Sequence, residues 1–221
     1  LLDEPEFRDF DGAGIALQAY LRDAPRDVEE MCKWAKKRGT PVTIRLIKGA
    51  YWDFETIHAE QESWRNPVWT SKWETDRCFE QCTEILLDHS KYIRTAIASH
   101  TVRSLAHAIV YAQARKVKPS DLEVQMLFGM AEPMKAAITK LGFRVREYGP
   151  MGEMIPGMAY LVRSLLENTS NESWLRHSYA DGLTVEELLA APEPPRGVKE
   201  SSGLEHIKPM DPVTGFRNHP M

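Results

Sequence analysis

Five short runs of apolar and β-branched residues lie between residues 14 and 148, and each has the length and composition of a β-strand. The segments between them change to a repeat of three to four residues, which is the period of an amphipathic helix. Strands that alternate with helices through long connections predict a parallel sheet with right-handed crossovers. The predicted fold class is therefore α/β. The five runs cover residues 14–20, 42–48, 93–99, 122–128 and 143–148.

The helical pattern is clear in five places. Val28, Met31, Cys32 and Ala35 share one face of the first predicted helix, and Gly142 is placed to end a later one. A further helix over residues 158–168 follows the last strand. The remaining helical stripes consist of Phe79, Cys82, Ile85 and Leu86, and of Val102, Leu105, Ala106, Ile109 and Val110.

The amino-acid composition of the chain changes after Arg176. Thr184 and Glu187 form a capping-box pattern for a short acidic helix, and prolines, glycines and serines then follow together. We expect residues 1–176 to form one α/β domain and residues 177–221 to be a short helix and a Pro/Gly-rich linker.

Composition excludes several classes of protein. Lys and Arg number 28 against 32 Asp and Glu, so the net charge of −4 argues against nucleic-acid binding by this segment. No apolar stretch approaches the roughly 18 residues of a membrane helix, and the first residues do not form a signal peptide. Three cysteines are too few for a disulfide framework, which favours the cytoplasm. The absence of an initiator Met suggests that the chain begins inside something larger.

Polar and aromatic residues are concentrated where the predicted strands end. In a parallel α/β protein these positions face the ligand, so this edge of the sheet is the predicted site. The residues concerned are Gln18, Tyr20, Arg45, Lys48, Tyr51, Trp52, His100, Thr101, Gln125, Leu127 and Tyr148.

The densest cluster surrounds Arg45 and Lys48. Alternation along the strand sends these two cations to opposite faces of the sheet, and a cation in an interior strand requires a partner. That partner is either a carboxylate of the protein or an anionic cofactor or substrate. Gly49 and Ala50 would let a flat ring or a phosphate approach the backbone closely.

Two other residues also have alternative interpretations. His100 precedes a helix and is either a hydrogen-bonded core residue or a ligand-binding one. Arg163 lies in an apolar helical stripe and either pairs with Glu167 or binds a carboxylate. Cys78, Cys82 and His89 do not complete a tetrahedral set, so no metal site is expected.

Six motifs, taken in order, resemble the proline dehydrogenase domain of the bifunctional proline utilization A (PutA) flavoenzymes. The resemblance covers residues 1–176, and the end of the chain, GFRNHP (215–220), is similar to the lead-in to the aldehyde dehydrogenase module of that family. The motifs are GIALQAY (14–20), IRLIKGAYWD (44–53), SHT (99–101), VQMLFGMAEP (124–133), YGPMG (148–152) and YLVRSLLENTSNESWLR (160–176).

The resemblance implies a TIM-type (βα)8 barrel that holds FAD non-covalently and oxidises L-proline to Δ1-pyrroline-5-carboxylate in proline catabolism to glutamate. Electrons would pass to a quinone, which requires transient membrane contact. The resemblance further implies a homo-oligomeric bifunctional enzyme with an aldehyde dehydrogenase module in the same polypeptide. The expected location is the cytoplasm, at the periphery of the bacterial inner membrane.

The resemblance also implies roles for individual residues. Arg45, Tyr148 and Arg163 would be catalytic, and Arg45 would tune the flavin ring through hydrogen bonds. Proline would be enclosed by Tyr51, Leu127, Tyr148, Tyr160 and Arg163. The residues expected to line FAD are Gln18, Arg45, Ile47, Lys48, Gly49, Ala50, Trp52, Thr70, Lys72, His100, Thr101 and Glu167.

The sequence departs from the family pattern in two respects. The second of two consecutive family arginines is Ser164 here, which would weaken the hold on the proline carboxylate. Only five strands are predicted where the family barrel has eight, so the first three βα units would be missing and the chain would be inactive alone. Two alternatives remain, namely a Schiff-base aldolase that uses Lys48 and a truncated, non-catalytic scaffold.

Overall fold

The computed structural model describes residues 1–169 and 184–194, and in the last long helix it describes side chains as far as Val162. Five parallel strands form one sheet in sequential order, so the predicted α/β class and all five strands are confirmed. The strands end one or two residues earlier than predicted, except the last, which begins one residue later. The strands are β1 (Gly14–Gln18), β2 (Val42–Ile47), β3 (Ile93–Ala98), β4 (Leu122–Leu127) and β5 (Arg144–Tyr148).

Helices follow each strand. The predicted helices are confirmed, and Gly142 lies just beyond the end of one of them with φ +89°. The helix after β2 was not predicted, because its only buried residue is Ala59 and it has no apolar face. The helices are α1 (Ala24–Arg38), α2 (Trp52–Gln61), α3 (Lys72–Asp88), α4 (Val102–Ala114), α5 (Glu132–Lys140), α6 (Met154–Thr169) and α7 (Val185–Leu188), with 3-10 turns at Pro5–Phe7 and Pro119–Asp121.

The two faces of the sheet differ in character. Ile44 and Leu46 of β2 are fully buried against the helices, whereas Arg45 between them points to the opposite face, as alternation predicts. The core is the layer between the sheet and α1, α3 and α4. Its largest buried side chains include Phe79, Leu86, Ile97 and Met126.

A sequential parallel sheet with one helical layer is the arrangement of a part of a (βα)8 barrel. In the part of the chain that the structure describes, β1 and β5 are the two edges of the sheet. Ile15 of β1 pairs with the buried Ile44 and yet is 49% exposed. The helical face is therefore incompletely covered at this edge.

The segment around α7 lies on the outer surface of the helical layer. Arg103 of α4 donates two hydrogen bonds to Glu80 of α3 and a third, 2.8 Å long, to the carbonyl of Leu189. A short helix begins after Thr184 as predicted, while the side chain of Glu187 lies outside the described residues. None of the helices described is long and apolar enough to cross a lipid bilayer.

Candidate functional site

The side chain of Arg45 extends towards the carboxyl ends of the strands. Its Nε donates a 2.7 Å hydrogen bond to Oε1 of Gln125, and its guanidinium lies 5.1 Å from the centre of the Tyr148 ring. Among the described residues, the Nη groups of Arg45 donate to no protein acceptor. Arg45 is thus fixed by one nitrogen and an aromatic face, and its other donors are available to a ligand.

Glu123 lies beneath this pair, closer to the amino ends of the strands. It accepts a 2.7 Å hydrogen bond from Nε2 of Gln125 and a 2.9 Å hydrogen bond from Arg146. A second guanidinium, that of Arg144, lies 3.7 Å from the same carboxylate. The face of the sheet opposite the helices is therefore polar and charged.

Lys48, directly after β2, points to the helical side of the sheet. Its ammonium lies 2.5 Å from Oδ1 of Asp76 and donates to Oγ1 of Thr101 at 3.1 Å. Lys72 contacts the other oxygen of Asp76 at 2.6 Å. Two residues predicted to line a cofactor, Lys48 and Lys72, thus share one carboxylate.

The three charges alter each other's protonation. Burial lowers the pKa of Lys48, and the carboxylate of Asp76 opposes this effect. Burial alone would raise the pKa of Asp76, but the two ammonium groups outweigh it and hold that pKa below its usual value. The carboxylate of Asp76 is therefore ionised at neutral pH.

The turn after β2 brings the backbone against an aromatic ring. Gly49 has φ +134°, and a Cβ atom at this position would lie 2.4 Å from the ring of Tyr20. Only glycine meets both conditions, because the conformation is unfavourable for other residues and the ring leaves no room. Nearby, Trp52 Nε1 donates to the carbonyl of Trp69 at 2.7 Å, which anchors the start of α2.

His100 lies at the end of β3, beside the end of β4. Its Nε2 is 3.1 Å from the backbone nitrogen of Leu127, whose N–H donates to it. Because this nitrogen accepts, any ring proton of the neutral imidazole resides on Nδ1. The predicted cofactor residue His100 and the predicted substrate residue Leu127 are therefore in direct contact.

The remaining residues predicted to form the site make fewer contacts with Arg45, Lys48 and His100. Gln18 and Ile47 are register partners and lie on the same face of the sheet as Arg45. Thr70 donates a long, 3.4 Å hydrogen bond to Glu74, and Ala50 lies in the turn before α2. Tyr51 and Trp52 are 46% and 41% exposed, and Tyr160 is half-buried. The side chains of Arg163, Ser164 and Glu167 lie outside those described.

Sequence reasoning left the partner of Lys48 open, and the structure assigns a protein carboxylate to it. Asp76 was missed as that partner, although its spacing of four residues from Lys72 on one helix was visible in the sequence. Glu123 was also missed, although it lies two residues before Gln125 and so on the same strand face. Within residues 1–169 and 184–194, no group of His, Cys, Asp and Glu side chains could hold a metal ion.

Comparisons with known proteins agree with the fold. A family model described as proline dehydrogenase matches residues 1–177. The chain is 35% identical over 196 residues to the bifunctional protein PutA of Salmonella typhimurium, covering 86% of this chain and 15% of that protein. It is 26% identical over 158 residues to the mitochondrial proline dehydrogenase 1 of Homo sapiens, covering 69% of this chain and 26% of that protein.

Solved structures are also similar. The structure of PutA from Bdellovibrio bacteriovorus inactivated by N-propargylglycine superimposes with a TM-score of 0.84 at 51% identity, covering 100% of this chain and 22% of that one. A mutant of PutA from Bradyrhizobium japonicum gives a TM-score of 0.75 at 32% identity, covering 86% of this chain and 20% of that one. This chain thus spans only a small part of the length of these relatives.

Proposed function

Since this chain belongs to the proline dehydrogenase family, we propose that it is part of a flavin-dependent enzyme that oxidises L-proline to Δ1-pyrroline-5-carboxylate. The observation that carries the proposal is the arrangement of Arg45, with Nε bound to Gln125, its plane near Tyr148 and its Nη donors available. Such a fixed cation at the carboxyl ends of parallel strands suits an electron-accepting ring that gains negative charge during reduction.

The residues present are suitable for FAD. Arg45 would donate to the flavin ring, and the amino groups of Lys48 and Lys72, held by Asp76, would be donors to the pyrophosphate. The Gly49 turn packs against the Tyr20 ring, so Gly49 would contact the ligand through its backbone groups. The other residues proposed to line FAD are Gln18, Ile47, Ala50, Trp52, Thr70, His100, Thr101 and Glu167.

FAD, when bound, would supply a two-electron acceptor for a hydride from the proline Cδ. The neutral amine would also lose one proton from nitrogen to solvent, which gives the C=N bond of the product. The protein's task is mainly to hold the substrate in a reactive orientation. We propose that Tyr51, Leu127, Tyr148 and Tyr160 enclose the proline ring and that Arg163 binds its carboxylate.

We further propose that residues 1–176 are the last five βα units of a (βα)8 barrel, and that residues 177–221 lead towards an aldehyde dehydrogenase module. The open edges at β1 and β5 and the exposure of Ile15 support this division, because closure of the sheet would cover them. Transfer of electrons to a membrane quinone and assembly as a homo-oligomer belong to the same proposal.

The test is to express the complete open reading frame, measure the flavin absorbance of the purified protein, and follow reduction of a dye by proline. We expect bound FAD and proline-dependent reduction, both weakened in Arg45→Met. An Arg115→Met variant, which changes an exposed arginine on the outer surface, serves as the control. A protein that binds no flavin would overturn the proposal and favour the scaffold alternative.

The aldolase alternative requires Lys48 to be a neutral nucleophile. Burial lowers the pKa of Lys48 and favours this neutral form, whereas the Asp76 carboxylate at 2.5 Å stabilises the ammonium form. Borohydride trapping with a carbonyl substrate separates the two, because only the aldolase would give a Lys48 adduct.

A further inference from the structure

We propose that Gln125 and Glu123 are positioning residues that fix the orientation of Arg45 towards the flavin. The inference rests on the proposed function, because it assigns a purpose to the guanidinium through its contact with the cofactor. Neither residue is expected to touch the substrate. Their effect would be exerted through the hydrogen bond at Nε of Arg45.

The first support is the continuity of the hydrogen bonds. Arg45 Nε donates to Gln125 Oε1 at 2.7 Å, and Gln125 Nε2 donates to Glu123 at 2.7 Å. Glu123 in turn accepts from Arg146 at 2.9 Å. An uninterrupted series of hydrogen bonds therefore connects the exposed Arg146 on β5 to Arg45 on β2.

The second support is that the donors and acceptors in this series of hydrogen bonds can be arranged in only one direction. A guanidinium can only donate hydrogen bonds and an ionised carboxylate can only accept them. The Gln125 amide between them must therefore turn its oxygen to Arg45 and its nitrogen to Glu123. An amide held at both ends cannot rotate without breaking a charge-assisted bond.

The third support is the room that the sheet leaves for this contact. Arg45 and Gln125 lie on strands separated by β3, roughly 10 Å apart at the usual strand spacing. The β3 residues paired with Arg45 and Gln125 on this face are Ala96 and Ala98, whose side chains are single methyl groups. Arg45 can thus reach across the intervening strand.

The fourth support is burial. The side chain of Glu123 is 11% exposed, whereas those of Arg144 and Arg146 are 56% and 61% exposed. Glu123 is mostly buried and binds two exposed arginines and the Gln125 amide, so its position is well fixed. It therefore anchors Gln125 without occupying the ligand side of Arg45.

The experiment uses the flavin-loaded protein expressed from the complete open reading frame. Gln125→Met keeps the size of the side chain but removes both hydrogen bonds, so Arg45 loses its fixed orientation. We expect kcat to fall about 10- to 100-fold with KM for proline changed less than about 3-fold, which matches the loss of one charge-assisted hydrogen bond. The absorbance spectrum and midpoint potential of the bound flavin should shift as well. Gln113→Met, an exposed change on α4, is the matched control.

A double variant that exchanges residues 123 and 125 tests the direction of these hydrogen bonds. Gln125→Glu alone places two carboxylates together, whereas Gln125→Glu combined with Glu123→Gln restores a matching acceptor and donor at every contact. We expect the single variant to be impaired and the double variant to recover kcat to within about 5-fold of the starting protein. This comparison also decides the matter if Gln125→Met fails to fold.

Failure of the proposed function and failure of the positioning role give different results. If the unmodified protein binds no flavin or does not oxidise proline, the proposed function fails. If it does both, and the flavin spectrum, potential and kcat of Gln125→Met equal those of Gln113→Met, the positioning role is wrong. A double variant no better than Gln125→Glu alone would also overturn it.

Discussion

The ammonium group of Lys48 and the carboxylate of Asp76 form a 2.5 Å ion pair in which both side chains are less than a fifth exposed. Lys72, from the first turn of α3, completes the cluster at 2.6 Å. The ion pair joins the end of β2 to α3. Because one carboxylate neutralises charge on two lysines, a single substitution of Asp76 should have a large effect on stability.

Replacing Asp76 by Asn should lower the free energy of unfolding by about 3 kcal/mol at neutral pH, because it leaves a buried ammonium without its carboxylate. Urea denaturation measures this loss. Glu29→Gln is a suitable control, since Glu29 forms an exposed pair with Lys33 and should cost less than about 1 kcal/mol. Equal losses in the two variants would contradict the expectation.

The same pair predicts a dependence of stability on pH. The pKa of Asp76 is held below its unfolded value, so between the two values the unfolded chain binds more protons and stability falls as pH falls. On the acidic side, the stability difference between the starting protein and Asp76→Asn should be full at a pH of about 5 and shrink below about 4. Denaturation curves across this range provide the measurement, and a difference that stays constant with pH would contradict it.

Gly49→Ala should destabilise the protein by about 3 kcal/mol or more, because the new methyl group would overlap the Tyr20 ring in addition to straining the backbone. Gly142→Ala is a matched control. Gly142 also has a positive φ, +89°, but a methyl group added there would meet no atom within 4 Å, so only the backbone cost of about 1 kcal/mol applies. Thermal or urea unfolding of both variants checks the difference.

Ser164→Arg should lower the KM for proline about 10- to 100-fold in the protein expressed from the complete open reading frame. It restores the second arginine of the family motif, and one charge-assisted contact to a carboxylate contributes about 1.5 to 3 kcal/mol. Steady-state kinetics provides the measurement. An unchanged or raised KM would show that this position does not face the substrate carboxylate.

Arg103→Ala should release the segment after α7 from the outer surface. Three hydrogen bonds of Arg103 join α3, α4 and the carbonyl of Leu189, and their loss should increase the open population of this segment about 10-fold. Cleavage after Glu186 in α7 by a glutamyl endopeptidase reports that population. Arg115→Ala, at an exposed arginine of the same surface, should leave the cleavage rate unchanged.

Local pattern was sufficient for most of the fold. The β-branched runs and the helical stripes identify every strand and most helices, because an element's hydrophobic period reflects which of its own faces is buried. The pattern failed at α2, where Phe54 and Ile57 are 64% and 53% exposed and no apolar face exists. The motifs also identified the family from sequence alone, since their order is specific even where each motif is short.

The pairing of charges could not be derived in the same way. Arg45 contacts Gln125 across 80 positions of sequence, and Lys48 contacts Asp76 across 28. Alternation along β2 determined that the two cations point to opposite faces, and it left their partners open. Which carboxylate or amide each cation meets depends on the path of the chain through β3, β4 and α3, and on the small residues of β3 that leave Arg45 room. The sequence by itself thus determined the elements and the family, while the tertiary structure decided the contacts, because periodicity is a local property and contacts between distant residues are set by packing.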